Sequence, residues 1–129
     1  MKTLLTFILS AFLLTACTQG NAQENLSVKE LIAVEFSKDE NKVVLDVRTA
    51  QEYAEGRING SENLDVLKTD LFTTSIAKLD KSKTYYVICR SGSRSQKAAD
   101  QMKTSGFKNV YNITGGMQAW KAANFPIEK

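Results

Sequence analysis

Two short runs of β-branched and aromatic residues limit the fold of this 129-residue chain most strongly. They are residues 43–47 (VVLDV) and residues 85–88 (YYVI). Apolar side chains at consecutive positions are typical of strands that are covered on both faces. Segments with helical spacing alternate with these strands, and the connections are a few residues long. The alternation predicts a mainly parallel α/β sheet of about five strands with helices on both faces.

Two capping boxes predict where helices begin. Ser27 with Glu30 starts a helix expected over residues 28–36, and Thr49 with Glu52 starts a short helix that Gly56 can end. The remaining expected elements are a short strand over 61–64, a helix capped by Asp65 that carries Leu67, Leu71, Phe72, Ile76 and Leu79, a helix over 95–105, a strand over 110–113 and a final helix containing Trp120.

The first sixteen residues are expected to lie outside the fold. Lys2 precedes an apolar stretch of eleven residues, 4–14, interrupted by Thr6 and Ser10. Eleven residues are too few for a membrane-spanning helix, which needs roughly 20. A charged start, a short apolar stretch and small residues after it are typical of a secretory signal.

Residues 14–17 (LTAC) resemble the lipobox of bacterial lipoproteins, in which the signal is cut before the cysteine. The resemblance implies acylation of Cys17, with residues 1–16 as signal peptide, 17–24 as lipid-anchored tether and 25–129 as one domain. Thr18, rather than an aspartate, follows the cysteine, so we expect a cell-envelope protein anchored on the periplasmic face of the outer membrane. The alternative is an ordinary signal peptide cut near Ala16 or Ala22.

The chain contains no histidine and has a formal net charge of +3. The absence of histidine removes Cys-His and Ser-His-Asp catalysis and the commonest metal ligand. Two cysteines alone do not form a zinc site, so no metal is expected. The small net charge and the lack of a long basic run argue against nucleic-acid binding.

A strand-loop-helix turn, residues 89–95 (CRSGSRS), follows the second predicted strand. In open parallel sheets, ligands bind beyond the carboxyl ends of the strands. Gly92 and the serines permit a tight curve with inward-pointing N–H groups, and a helix starting near Ser95 adds its positive end. Both effects lower a cysteine pKa, so Cys89 is predicted to be a nucleophilic thiolate that needs no histidine. If Cys17 is acylated, Cys89 is the only thiol of the mature chain.

Three motifs, in order, resemble those of single-domain rhodaneses. Residues 89–95 match the family's C-R-x-G-x-R-[ST] active-site loop. Residues 46–63 are similar to its D-V-R, E-[YF] and G-H-I-P-G-A-x-N segments, and residues 115–126 to its closing G-G-x-x-x-W segment. The resemblance extends over about residues 25–128. Arg57 and Asn59 replace the usual histidine and proline, and Asn124 stands where glycine is common, although asparagine accepts a left-handed conformation.

The resemblance implies a rhodanese-like fold and a sulfurtransferase that moves sulfane sulfur, from a donor such as thiosulfate or a polysulfide, through a persulfide on Cys89. It also implies that the persulfide and the donor are held by the loop residues Arg90, Ser91, Gly92, Ser93, Arg94 and Ser95. Asp46 and Arg48 are expected to brace the loop rather than react. The implied partners are a small sulfur-donor anion and a thiol acceptor, which is a small molecule or a protein, and no cofactor is expected.

Three other functions are compatible with a reactive cysteine in such a loop. A phosphatase or arsenate reductase of related shape needs Cys-x5-Arg, whereas Cys89 and Arg94 give Cys-x4-Arg. A non-catalytic rhodanese-like binding module is a second alternative. A redox-sensing role in a thiol relay is a third, because Cys89 would lie in an oxidising compartment.

Overall fold

The computed structural model describes residues 24–129 of the chain. The predicted signal peptide, Cys17 and the predicted tether up to residue 23 lie outside the described residues. Within residues 24–129, no helix has both the length and the apolar composition required to cross a bilayer.

The centre of the fold is one sheet in which all strand pairs are parallel. The strands are β1 (Glu24–Leu26), β2 (Lys42–Asp46), β3 (Glu62–Asn63), β4 (Thr84–Ile88) and β5 (Asn109–Ile113). Their order across the sheet is β1-β5-β4-β2-β3, so β4 lies in the middle. The predicted parallel α/β sheet of about five strands is confirmed.

Helices cover both faces of the sheet. They are α1 (Val28–Ala33), α2 (Ala50–Glu55), α3 (Thr69–Ile76), α4 (Ser93–Thr104) and α5 (Gly116–Ala122). Side chains alternate between the two faces of a strand. Tyr85 therefore packs in one core with residues of α3 and α4, while Tyr86 packs in the other core with residues of α1 and α5. Both predicted interior strands are buried on both sides for this reason.

Both capping boxes form as predicted. The Ser27 hydroxyl accepts from Glu30 N at 3.2 Å, and Ser27 N donates to the Glu30 carboxylate at 2.7 Å. Thr49 and Glu52 make the same reciprocal pair at the start of α2. The first helix ends at Ala33, however, and not at residue 36 as predicted. Glu35 adopts a left-handed backbone with φ of 53°, which separates α1 from a short 3₁₀ turn.

The helix expected after Asp65 begins four residues later, at Thr69. The Asp65 carboxylate instead accepts from Leu67 N at 2.9 Å, so it closes a turn rather than capping the helix. Leu67 and Leu71 were expected on this helix, but Leu67 lies before its first residue, and the two side chains are 60% and 59% exposed. The helical spacing of these residues indicated the helix correctly, but the buried positions are Phe72 and Ile76.

Strand β1 was not predicted, and Glu24 belongs to it rather than to the tether. Its three residues pair in parallel with β5, so that Asn25 lies opposite Asn112. The segment is short and mostly polar, and only pairing with a strand at the other end of the chain makes it β-structure.

Two of the departures from the rhodanese motifs are accommodated locally. Arg57 pairs with Glu128 through backbone hydrogen bonds of 2.9 and 2.8 Å, and its guanidinium lies 5.0 Å from the centre of the Tyr53 ring. Asn124 adopts the left-handed conformation expected of it, with φ of 57°.

Candidate active site

Cys89 follows directly after β4, at the carboxyl end of the central strand. It is 1% exposed and its sulfur belongs to the core packed between the sheet and helices α3 and α4. The position agrees with the expected site at the strand ends. Because the thiol is buried, its reactivity depends on the few groups that contact the sulfur directly.

Hydrogen-bond donors converge on the Cys89 sulfur. Gly92 N donates to Sγ at 3.1 Å, and the Ser95 hydroxyl lies 3.3 Å from it. Burial is the largest single influence and raises the pKa of Cys89, but hydrogen bonds from the Ser95 hydroxyl and from the N–H groups of Ser95, Gly92 and Ser91 together outweigh it. The net result is a thiol pKa below the ordinary value, as the sequence predicts.

The loop is tight because Gly92 adopts a backbone that other residues avoid. Its φ is 103°, and it immediately precedes the first residue of α4, Ser93. Helix α4 thus begins two residues before the predicted start near Ser95. The N–H of Ser95 in its first turn contacts the sulfur, as do those of Ser91 and Gly92 just before the helix, and the positive end of the helix favours an anion there.

Helix α5 holds the active loop from the other side. Met117 N donates to the Cys89 carbonyl at 2.8 Å, and Gln118 N donates to the Arg90 carbonyl at 3.0 Å. Gly116 permits this approach, since a Cβ there would lie 2.7 Å from the Arg90 carbonyl carbon and nearer still to the Cys89 oxygen. The Gly115-Gly116 motif therefore fixes the loop backbone through the N-terminus of α5.

Arg94 points to Glu52 on α2. Its two terminal nitrogens donate to the two carboxylate oxygens at 2.8 and 2.9 Å. The hydrogen bond from Arg94 lowers the pKa of Glu52 to about 2. Arg94 therefore acts as a loop brace that joins α4 to α2. Sequence reasoning identified Glu52 only as a helix cap and missed this second role, because the two residues are 42 positions apart.

A buried ion pair at the end of β2 supports the same side of the site. Arg48 donates to both oxygens of Asp46, with a closest distance of 2.7 Å, and also to the Gly56 carbonyl at 2.8 Å. Asn63 Nδ2 donates to the carbonyl oxygens of Asp46 and Arg48, both at 2.9 Å. Asp46 and Arg48 were expected to brace the loop at residues 89–95, and these bonds join the end of β2 to α2 and β3. Asn63 was not among the expected bracing residues.

Ser95 connects the sulfur to two asparagines that sequence reasoning also missed. Its hydroxyl lies 2.6 Å from Asn112 Oδ1 on β5, and Asn112 Nδ2 donates to Asn25 Oδ1 on β1 at 3.2 Å. Ser95 and Asn112 are both buried. A polar residue in an otherwise apolar strand was the available sequence signal, since a buried amide needs partners.

The loop borders an open cavity of about 370 Å³, lined by Arg48, Glu52, Glu55, Arg90, Met117, Gln118 and Lys121. Arg90 is exposed at this mouth, and so are Ser91 and Ser93 on the outer side of the loop. Of the loop serines, Ser95 has its hydroxyl in contact with the sulfur. Arg90 and Lys121 give the mouth two cations that an entering anion can meet.

Residues 24–129 contain no cluster of three or more cysteine, aspartate or glutamate side chains placed to hold a metal ion. The chemistry that the described site offers is that of one buried sulfur, surrounded by N–H and O–H donors and approached through a mouth where Arg90 and Lys121 lie together with Glu52 and Glu55.

An open parallel sheet that presents a cysteine in a ring of N–H donors defines a class of small α/β domains built to hold a thiolate. The sequence model of the Rhodanese-like domain family matches residues 28–123. The chain belongs to this family.

Two of the relatives carry the name thiosulfate sulfurtransferase. Thiosulfate sulfurtransferase GlpE of Pseudomonas putida (strain GB-1) is 38% identical over 96 residues, which are 74% of this chain and 84% of that protein. The protein of the same name from Coxiella burnetii (strain RSA 331 / Henzerling II) is 35% identical over 95 residues, with 74% and 86% covered. The crystal structure of a rhodanese-related protein from Thermoplasma volcanium is similar with a TM-score of 0.69 and 27% identity, covering 81% of this chain and 97% of that one.

Proposed function

We propose that the protein is a sulfurtransferase that carries sulfane sulfur as a persulfide on Cys89. The observation that carries the proposal is the convergence of the Gly92 N–H and the Ser95 hydroxyl on one sulfur, at 3.1 and 3.3 Å. Such donors stabilise an anion in a buried place. The name shared by the Pseudomonas and Coxiella relatives, thiosulfate sulfurtransferase, supports the same reaction.

In the first half-reaction, the Cys89 thiolate attacks the outer sulfur of thiosulfate. A sulfur–sulfur bond forms to Cys89, and the bond between the outer sulfur and the sulfonate breaks. Sulfite leaves with the bonding electron pair, and the enzyme retains a Cys89 persulfide anion. Arg90 and Lys121 at the mouth attract the dianionic donor and the leaving sulfite.

In the second half-reaction, an acceptor thiolate attacks the outer sulfur of the persulfide. The acceptor becomes a persulfide anion, and the electron pair of the broken bond returns to Cys89 as thiolate. The loop N–H groups hold negative charge before and after each transfer, so the site needs little reorganisation between the two steps. No cofactor enters this cycle.

The burial of Cys89 adds a requirement to this mechanism. Cys89 is 1% exposed, so a donor has little direct access to its sulfur. The outer side of the loop is solvent-exposed at Arg90, Ser91 and Ser93, so the donor approaches from this side and needs a local adjustment of these side chains to reach the sulfur.

The test is sulfur loading of the reduced protein by thiosulfate, followed by intact mass. We expect the mass of one sulfur atom to be added to wild type and not to the Cys89→Ser variant, with one sulfite released per loaded chain. Dithiothreitol must remove the added mass, which separates a persulfide from a sulfinic acid of nearly equal mass. A folded, reduced wild type that gains no sulfur and releases no sulfite contradicts the proposal and favours a binding or redox-sensing module.

We also propose that the protein is anchored in the cell envelope through Cys17, on the periplasmic face of the outer membrane. The support is the apolar stretch over residues 4–14, which ends at Leu14 and is followed by two small residues and Cys17. Cys17→Ser is expected to leave the protein unlipidated and to move it out of the membrane fraction. Cys89→Ser is the matched control, because it removes the other cysteine and must leave fractionation unchanged. Equal membrane association of both variants rejects the anchor.

A further inference from the structure

The Ser95 hydroxyl lies between two groups that compete for its single proton. The Cys89 sulfur is 3.3 Å from Oγ on one side, and Asn112 Oδ1 is 2.6 Å from it on the other. The serine and the asparagine are both buried, so water does not substitute for either partner. A hydroxyl has one hydrogen to donate and lone pairs with which to accept.

The orientation of the Asn112 amide decides which partner receives the proton. Its nitrogen donates to Asn25 Oδ1 on β1 at 3.2 Å, so its oxygen faces Ser95. An amide oxygen only accepts, and two oxygens 2.6 Å apart need a hydrogen between them. The Ser95 proton therefore lies on the Asn112 side while Cys89 is a neutral thiol, and the thiol can donate to Ser95 in turn.

We propose that Asn112 is a positioning residue that competes with the Cys89 thiolate for the Ser95 proton. The inference rests on the proposed function of Cys89 as the sulfur carrier. When the thiol ionises, the Ser95 proton turns toward sulfur, and the buried Asn112 oxygen loses its donor, which costs free energy. Once the persulfide forms, the charge moves to the outer sulfur, and the proton can return to Asn112.

The competition keeps the thiolate reactive. Thiolates become weaker nucleophiles as their pKa falls, with a Brønsted coefficient of about 0.4–0.5 in exchange with disulfides. The loop N–H groups lower the pKa of Cys89, and Asn112 limits how far the lowering goes by withholding one donor. The Asn112 amide thereby keeps the free Cys89 thiolate nucleophilic, and it also favours retention of the persulfide on Cys89.

The test measures how fast Cys89 forms a mixed disulfide with uncharged 2-hydroxyethyl disulfide as pH varies. The full-length chain is used, and the reaction is followed by mass spectrometry on the peptide that contains Cys89, so modification of Cys17 does not interfere. No sulfur donor is present, so the result does not depend on whether the protein transfers sulfur.

Asn112→Leu keeps the approximate size of the side chain and removes the acceptor. If the substitution raises the thiolate fraction at low pH tenfold, the Brønsted coefficient makes each thiolate about threefold less reactive. The rate is then about threefold higher below the midpoint of the pH profile and about threefold lower on the plateau. Asn112→Asp keeps the acceptor, strengthens it and adds negative charge, so its profile moves to higher pH. A general loosening of the site does not move the pH profile of Cys89 to lower pH in Asn112→Leu and to higher pH in Asn112→Asp.

The control repeats the measurement in the Ser95→Ala variant, which lacks the shared proton. In that variant, adding Asn112→Leu must leave the pH dependence of the Cys89 rate unchanged. The charged groups around the loop are Arg90, the Arg94–Glu52 pair, the Asp46–Arg48 pair, Glu55, Asp65 and Lys121, and they are the same in every variant. Their fields therefore cancel in the comparison.

Three outcomes overturn the proposal. In the first, the pH profile of the Cys89 rate in Asn112→Leu stays in place or moves to higher pH. In the second, Asn112→Leu shifts this profile equally with and without Ser95. In the third, Asn112→Asp moves the profile to lower pH. If Asn112→Leu does not fold, the Asn112→Asp profile in both backgrounds decides the question. Failure of thiosulfate loading together with the expected profiles would remove the sulfurtransferase proposal and leave the proton competition standing.

Discussion

Gly116 offers the sharpest test of how the active loop is held, because two separate effects exclude a side chain there. Its φ is 54°, in the left-handed region, and an added Cβ would lie 2.7 Å from the Arg90 carbonyl carbon and oxygen. The left-handed backbone costs a non-glycine residue roughly 1–2 kcal/mol. Crowding against backbone atoms adds about 1–3 kcal/mol. Gly116→Ala is therefore expected to lower the free energy of unfolding by about 2–5 kcal/mol.

Gly60→Ala separates the two contributions. Gly60 also has a positive φ, 81°, but nothing lies within 4 Å of an added Cβ. Its replacement is expected to cost only the conformational part, about 1–2 kcal/mol. Urea denaturation of wild type and both variants, followed by the fluorescence of the buried Trp120, measures the difference directly.

The same substitution should also slow sulfur loading. Helix α5 must move away from the loop in Gly116→Ala, which weakens the hydrogen bonds to the Cys89 and Arg90 carbonyls. Gly60→Ala is expected to load sulfur at the wild-type rate under conditions in which it is folded. Equal unfolding free energies for the two alanine variants would refute the reasoning, because crowding at Gly116 would then contribute nothing.

Three further predictions concern the charged groups and the thiol. Glu52→Gln keeps the helix cap but removes the carboxylate partner of Arg94, and since the pair is partly exposed we expect a loss of about 1 kcal/mol at pH 7 in urea denaturation. Because the folded pKa of Glu52 is lowered to about 2, the stabilisation is present above its ordinary pKa of 4.5 and is lost as pH falls toward 2, so wild type and Glu52→Gln converge in acid. Arg48→Met leaves the buried Asp46 carboxylate without its cation and should cost about 3–5 kcal/mol, and a double variant that also replaces Asp46 with Leu should recover part of this loss. The loading rate of Cys89 should rise with pH to a plateau that is reached at lower pH than for a cysteine in an unfolded peptide, because its pKa is lowered; a midpoint above that of the peptide contradicts the assigned hydrogen bonds.

Features encoded by neighbouring residues could be predicted from the sequence. The capping boxes at Ser27 and Thr49 and the anion-holding turn at Cys89 depend on contacts within a few positions, and the two doubly buried strands are visible as runs of consecutive apolar residues. The predicted fold follows from them, because parallel strands need helical crossovers and few topologies satisfy that rule. The chemistry of the sulfur was predictable for the same reason, since Gly92 and Ser95 lie close to it in the chain.

Contacts between distant parts of the chain could not be predicted in this way. The Glu52–Arg94 pair and the Ser95–Asn112 contact join elements whose side chains meet only after the sheet has formed. Strand β1 has no β-forming composition and depends on its register with β5. Leu67 was expected on α3 because its spacing from Leu71 fits a helix, but that spacing does not show that the Asp65 side chain closes a turn before the helix begins.

The parallel direction of β1 has a consequence for how the molecule is presented. Glu24 begins β1 at the level of Tyr86 in the central strand, and Leu26 ends it near the edge where Cys89 lies. Three residues at about 3.3 Å each separate Tyr86 from Cys89, so the described chain enters the sheet roughly 10 Å behind the edge that carries the sulfur. For a protein anchored as proposed, the first described residues thus lead into the sheet from behind the mouth at Arg90 rather than across it.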